Sequence, residues 1–424
     1  MCMPAQKTTL KNGLRIITIP QKSTKTVTVL VLVGTGSKYE MKDTNGISHF
    51  LEHMFFKGTE KRPTPVAVTE VLDEVGGIYN AFTGEDYTGY YAKVDAAHFD
   101  LALDWVADIF LHSKLPSKEI EKEKGVVMEE LHMYRDTPTR HIDDLWMHLL
   151  YGDQPAGWNI VGTRQSILGL SRNDLQKYIA SQYVALNTVV CIAGNVRSKE
   201  AARKAKKAFG RIRVNKPTVK VPVKEAQLAP QLLLEWRKTN QTNIALGVRA
   251  YSDSHSMRFA QHLLAISLGG MMSSRLFVEV REKLGLTYDI STTSESDPDV
   301  GYVVTTAGIT NGSVEKAIQV ILKEYKKLKT TGLSTRELEK AKEYEKGKLA
   351  LWLESSNAKA NFYGMQELLR KEMLTPEEIC GKINAVTNTQ IKEVARDIFR
   401  PENLNLVVLG PYRNKAKFVS LLKI

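Results

Sequence analysis

Cysteine is nearly absent: Cys2, Cys191 and Cys380 are the only three in 424 residues. So sparse and odd a set argues against a disulfide framework, and none of the three has the paired spacing of a cysteine zinc site. Cys191, inside the apolar run Val189–Ala193, reads as a buried strand residue. Long apolar runs are also missing. The longest is Val27 to Val33 with its neighbours, far short of the ~20 residues a spanning helix needs, so no membrane is expected as a partner. The start, Met1 to Lys7, has no apolar signal-peptide core, and Lys11 to Pro20 reads instead as a first strand. With neither a secretory nor a transit segment visible, the expected location is cytoplasmic. Acidic residues are the minority charge, 47 against 59 Lys and Arg, for a net charge of +12. A basic chain invites a nucleic-acid partner. The excess is spread, however, with local concentrations at Arg203 to Lys207 and through Arg211, Arg213, Lys216, Lys220 and Lys224. These read as the end of an exposed helix followed by a linker. No helix-turn-helix, RNA-binding aromatic motif or zinc-finger spacing accompanies them, so no nucleic acid is expected to bind. The remainder, 43% hydrophobic and 25% charged, is ordinary for a globular chain long enough for two or more domains.

Against that background the segment His49-Phe50-Leu51-Glu52-His53 stands out. On a helix, residues four apart lie one above the other, so both imidazoles can reach one metal ion. Glu52 borders the same face, and Ile47, Phe50, Leu51, Met54 and Phe55 supply an apolar face for burial. Two imidazoles beside a carboxylate suit a hydrolytic zinc site. The order H-x-x-E-H is the inverzincin signature.

A third protein ligand is needed, and the segment Leu115 to Tyr134 supplies the candidate. Ser117 can cap a helix here, and Pro138 lies past its end. Ile120, Glu123, Val127, Glu130 and Tyr134 form one stripe of that helix. Carboxylates among apolar residues are costly to bury unless paired or bound to metal. Glu129 is turned roughly 100° aside. Glu130 is therefore assigned as the third ligand, and Glu123, one heptad earlier, as its supporting partner.

The chain also repeats internally. Ser171–Tyr183 corresponds to Thr387–Phe399, and at the same offset, without a gap, Asn187 matches Asn403 and the strands that follow end at Gly194 and Gly410. The expected fold is α+β: two homologous sandwich domains, each a mainly antiparallel sheet covered by helices. Expected boundaries are 1–210 for the first domain, 211–229 for a linker containing Pro217 and Pro222, and 230–424 for the second. The metal triad occurs in the first half alone; the corresponding region of the second, around Ala260 to Leu264, lacks it.

With these motifs in place, the chain resembles the pitrilysin family, which includes insulin-degrading enzyme and the mitochondrial processing peptidases. That family's motif is H-x-x-E-H followed at a fixed interval by Glu, and the interval from His53 to Glu130 matches it. The family's supporting Glu falls on Glu123. The resemblance covers essentially the whole chain. It implies one zinc ion per chain, held by His49, His53 and Glu130, with Glu52 as general base.

Past a helix from about Pro65 to Val75, the runs Ile78–Thr83 and Tyr87–Val94 read as two strands. By themselves they are an ordinary hairpin. The resemblance makes Asn80, Ala81 and Phe82 an edge strand to which substrate adds as a further strand, with Asn80 helping to hold the scissile carbonyl. In the second half, Arg281-Glu-Lys-Leu-Gly-Leu-Thr-Tyr288 resembles the Arg/Tyr pair that grips substrate opposite the metal. The resemblance implies an endopeptidase acting on short or unfolded peptides within an enclosed chamber. Long family members carry four such domains in one chain, so a two-domain chain is expected to form a homodimer. The alternative is a non-catalytic or processing-peptidase-like subunit of a hetero-oligomer.

Overall fold

The most apolar stretch of the sequence, Thr26–Val33, is a strand buried along nearly its whole length in the computed structural model, which describes residues 5–370 and 372–424. Cys2 lies outside the described residues. In chain order the first half contains β1 (Gln6–Thr9), β2 (Arg15–Pro20), β3 (Thr26–Val33), α1 (Ile47–Met54), α2 (Pro65–Asp73), β4 (Ile78–Thr83), β5 (Thr88–Asp95), α3 (Phe99–His112), α4 (Ser117–Asp136), α5 (Pro138–Tyr151), α6 (Arg164–Gly169), α7 (Arg172–Gln182), β6 (Thr188–Gly194) and α8 (Ser198–Phe209). Residues 211–229 form neither helix nor strand. The second half contains β7 (Gln231–Trp236), β8 (Gln241–Ala250), α9 (Arg258–Ala265), β9 (Thr287–Ser296), β10 (Gly301–Thr310), α10 (Val314–Thr330), α11 (Thr335–Trp352), α12 (Ser356–Met365), α13 (Pro376–Ala385), α14 (Asn388–Ile398), β11 (Leu404–Gly410) and α15 (Lys415–Val419).

Two compact units result, and each has an α+β sandwich architecture. In the first, the described strands form one sheet in the order β1-β2-β6-β3-β5-β4, antiparallel except for the β2/β6 pair. In the second, the order is β7-β11-β8-β10-β9, antiparallel except for β7/β11. The two orders coincide once β1 is set aside. Three matching pairs keep the offset of the sequence repeat: Arg15 corresponds to Gln231, Arg172 to Asn388 and Thr188 to Leu404, each the first residue of its element.

The compact units are not contiguous in sequence. The first comprises the described residues up to His132, Trp158–Val221 and Ala350–Thr375; the second comprises Met133–Gly157, Pro222–Leu349 and Pro376–Ile424. The compact units cross the expected boundaries 1–210 and 230–424, because each takes one helix from the other half. Helix α5 belongs to the second unit, where Ile142, Trp146, Leu150 and Tyr151 cover Ala245, Val304, Val407 and Leu409 of its sheet. Helix α12 belongs to the first. Shifted by the offset of the repeat, α5 overlies α12, so the halves have exchanged equivalent helices. A helix with an apolar face fits either of two homologous sheets, and periodicity carries no information about which it chooses.

Glycine permits both close approaches. A Cβ on Gly364 of α12 would come within 2.7 Å of Cys191 Sγ and Leu32 Cδ1, and one on Gly247 of β8 would meet Trp146 at 3.0 Å. The opposite face of the second sheet is covered by α9, α10 and α14 through residues such as Leu263, Ile318, Tyr325 and Val394. In the first unit, Phe55 stacks on Tyr90 at 4.9 Å and meets Phe110 and Tyr183 edge-on, which seats α1 and α3 on the sheet. Among the described residues no helix is long and apolar enough to cross a membrane.

Candidate active site

Helix α1 buries Ile47, Phe50, Leu51 and Met54 completely or nearly so. Its remaining face carries His49, Glu52 and His53. The spacing sets the rings 4.7 Å apart between centroids, at 65°. Helix α4 begins at Ser117 itself, so Ser117 occupies the first turn rather than the cap expected for it; boundaries of this kind shift by a residue or two. Along α4, Ile120, Glu123 and Val127 are buried and Glu129 is exposed, as the stripe requires. Pro138 does not merely follow the helix; it opens α5 at its first turn.

The three assigned ligands converge. His49, His53 and Glu130 each offer an atom within 4.8 Å of the others. Glu130 Oε2 lies 3.5 Å from His49 Nε2 and 3.4 Å from His53 Nε2. Tetrahedral zinc with bonds near 2.0–2.1 Å sets its ligand atoms about 3.3 Å apart, so this donor set fits zinc by both identity and spacing.

Glu123 supports His53. Its Oε1 lies 2.8 Å from His53 Nδ1, and Oε2 pairs with Lys57 Nζ at 2.7 Å. With Nδ1 donating to the carboxylate, Nε2 keeps its lone pair for a metal. The structure thus places Glu123 on His53 rather than on Glu130, the ligand it was expected to support. Burial pulls His53 toward the neutral form, but hydrogen bonds and charge from Glu123 and Glu130 outweigh it and hold the ring's pKa at about 9 without metal. Burial likewise pushes Glu123 up, and hydrogen bonds from His53 and Lys57 reverse that and hold it below the usual carboxylate value. His49 Nδ1 is buried with no hydrogen-bond partner among the described residues.

Strand β4 carries Asn80, Ala81 and Phe82 at the edge of the first sheet, where it pairs with β5. Among the described residues its other edge is unpaired. Asn80 is exposed, and its Oδ1 accepts from the Ala81 backbone N–H at 2.9 Å. Ala81 is buried, and Phe82 rests edge-on against Tyr87. The last residue of β4, Thr83, donates its hydroxyl to Glu52 Oε2 at 2.6 Å, so the edge strand and the base are directly joined.

Arg281 and Tyr288 also come together, within the second unit. The guanidinium lies 4.8 Å from the Tyr288 ring centroid and 4.6 Å from that of Phe277. Tyr288 is 79% exposed, leaving its hydroxyl available to another molecule. In this unit the corresponding region, Ala260 to Leu264 in α9, reads Ala-Gln-His-Leu-Leu and lacks the two-histidine, one-glutamate pattern.

Three contributors escaped the sequence reading: Thr83 on Glu52, Lys57 on Glu123, and Glu40, whose carboxylate accepts hydrogen bonds at the start of α1. Motif spacing could not have found them, because each is a contact across the fold or beyond a loop.

A duplicated α+β sandwich with a His-x-x-Glu-His helix in one copy, and a glutamate on a neighbouring helix completing the triad, defines a class of zinc metallopeptidases. Residues 15–164 match the family described as insulinase (peptidase family M16), and residues 169–344 match the peptidase M16 inactive domain. The chain belongs to this family. A protein of Bacillus subtilis described as the uncharacterized zinc protease YmxG is 35% identical over 96% of this chain and 98% of its own length. A protease from Helicobacter pylori shares the fold at a TM-score of 0.90 with 24% identity, covering 97% of this chain and all of its own. A chain of Complex III2 from Candida albicans does so at 0.84 with 19% identity, covering 99% of this chain and all of its own.

Proposed function

We propose that this chain is a zinc-dependent endopeptidase that hydrolyses short or unfolded peptides, and that it works as a homodimer enclosing its substrate in a chamber. The observation carrying this reading is the convergence of His49, His53 and Glu130 beside Glu52, which is tied to the edge strand by Thr83. Zinc, held by those three side chains, would supply the Lewis acid that activates water and polarises a peptide carbonyl. Glu52 takes the proton from the attacking water and passes it to the leaving amine. Thr83 orients the Glu52 carboxylate for that transfer. Glu123, with Lys57 behind it, fixes the tautomer and rotation of His53. The free edge of β4 binds an extended chain through backbone hydrogen bonds, which favours breadth in sequence and excludes folded segments. Arg281 and Tyr288 serve as further donors to substrate carbonyls.

The test is digestion of a mixed peptide library with and without chelator, followed by sequencing of the products. Chelator-sensitive internal cleavage restored by zinc is the expected result. A pure chain that binds no zinc and cuts nothing would instead be a non-catalytic subunit.

A further inference from the structure

We propose that Glu40 is a positioning residue for the metal site: its buried carboxylate fastens the first turn of α1 and so sets where His49, Glu52 and His53 stand relative to strand β4. This rests on the peptidase reading above. Helix α1 has only eight residues, too few to hold itself in water, and its first four N–H groups need partners from outside. The usual remedy is a Ser, Thr, Asp or Asn side chain at the cap. That remedy is closed here. The cap is Gly46, at φ +92°, and a Cβ there would sit 2.4 Å from the Val161 carbonyl oxygen. Position 46 must therefore remain glycine, and the capping group has to come from elsewhere.

Glu40 provides it from six residues upstream. Oε2 accepts from the Gly46 N–H at 2.7 Å and from Asn45 Nδ2 at 2.9 Å, while Oε1 accepts from the Ser48 N–H at 2.9 Å. The carboxylate is 4% exposed and sits at the positive end of the helix dipole. Ser48 directly precedes His49.

The same segment is tied to the other side of the site. The Ser37 and Lys38 N–H groups donate to the Gly84 and Glu85 carbonyls at 3.3 and 3.0 Å, and Lys38 Nζ pairs with Asp86 at 2.9 Å. Residues 84–86 form the turn that follows Thr83, the donor to Glu52. Residues 37–48 thus run from the β4–β5 turn to the metal helix, with Lys38 anchoring one end and Glu40 the other. Glu40 touches none of the ligands and acts through the backbone of α1.

The experiment compares wild type, Glu40→Gln and Glu40→Ala. Zinc affinity is measured by competition with a chromophoric chelator, kcat and KM on a short peptide, and amide hydrogen exchange at Gly46 and Ser48 in the zinc-free protein. Glu40→Gln keeps the size but cannot accept at both oxygens. It should exchange faster at these two amides, bind zinc ~10–100-fold more weakly, and lose kcat at saturating zinc with KM little changed. Glu40→Ala should lose more. If Glu40→Ala fails to fold, Asn45→Ala, which removes one partner of the carboxylate, should show a smaller shift of the same kind. A wild type without zinc or activity would refute the peptidase reading. A zinc-bound, active wild type whose folded Glu40→Gln variant keeps its zinc affinity and kcat, losing melting temperature alone, would overturn the positioning role.

Discussion

Glu52 and Glu130 are both carboxylates at the site, yet removing each should have a different consequence. Glu52→Gln keeps shape and the Thr83 contact but cannot take a proton. It should retain stoichiometric zinc while activity falls at least ~10²-fold, the lower range for a lost general base. Glu130→Ala, His49→Ala or His53→Ala should lose metal as well, measured as zinc per chain by atomic absorption. Glu129→Ala is the control, because that side chain is 84% exposed. Zinc retained by Glu130→Ala and lost by Glu129→Ala would overturn the assignment. These residues were legible because helical periodicity is local: four positions bring two imidazoles together, and one heptad relates Glu123 to Glu130. Thr83 and Lys57 were not. Thr83 lies 31 residues from Glu52, and Lys57 reaches α4 from the turn after α1, so only the folded sheet and the helix crossing bring them into place.

Secondary elements were largely legible, including the matched strands that end at Gly194 and Gly410. The exchange of α5 and α12 was not, because two homologous sheets offer nearly equivalent apolar faces. Its packing is nonetheless specific and can be tested at a glycine. Gly364→Val would drive a side chain against Cys191 and Leu32, and overpacking of this kind typically costs about 1–3 kcal/mol. Gly381, in α13, has nothing within 4 Å of an added Cβ. Gly381→Ala should therefore be neutral or stabilising by up to ~1 kcal/mol, the difference in helix propensity. Urea midpoints of the two variants give the comparison, and equal stabilities would contradict the close approach. Edge strand β4 makes a second prediction at this scale. Cleavage sites in a denatured protein should be varied in sequence, whereas the same protein in its rigid native form should survive. Efficient cutting at an ordered native site would rule out strand addition as the mode of binding.

At the scale of the whole molecule, acid should act through particular carboxylates. The Arg275 guanidinium, bonded to Glu337 at 2.6 and 2.9 Å, holds that carboxyl down to about 2, and burial only partly opposes it. Glu337 also closes a capping box with Ser334 at the start of α11. A folded-state pKa below the ordinary 4.5 means stability that is present above that value and lost as pH falls toward 2. Unfolding midpoints measured from pH 5 to pH 2 should fall for wild type and fall less steeply for Arg275→Ala. An identical slope in both would remove Glu337 from the acid response.

The assembly is the largest-scale prediction, and it follows from how the parts are divided. The zinc ligands lie in one half of the chain and the Arg281–Tyr288 pair in the other, while the resemblance to longer, four-domain peptidases implies that four such domains make a chamber. Two copies of this chain supply four, and closed two-fold dimers are the commonest homo-oligomers. In the proposed homodimer the zinc site of one chain faces Arg281 and Tyr288 of the other. Complementation tests this directly. Glu52→Gln and Arg281→Ala chains are each expected to be nearly inactive alone. After subunit exchange, the mixed dimer sets the intact zinc site of the Arg281→Ala chain opposite the intact Arg281 of the Glu52→Gln chain, and activity should rise above that of either variant. Exchange is verified independently with chains carrying two different tags. Verified exchange without returning activity would refute the arrangement in trans, and full activity at a monomeric mass in solution would refute it more directly, because one chain would then be doing alone what two are proposed to share.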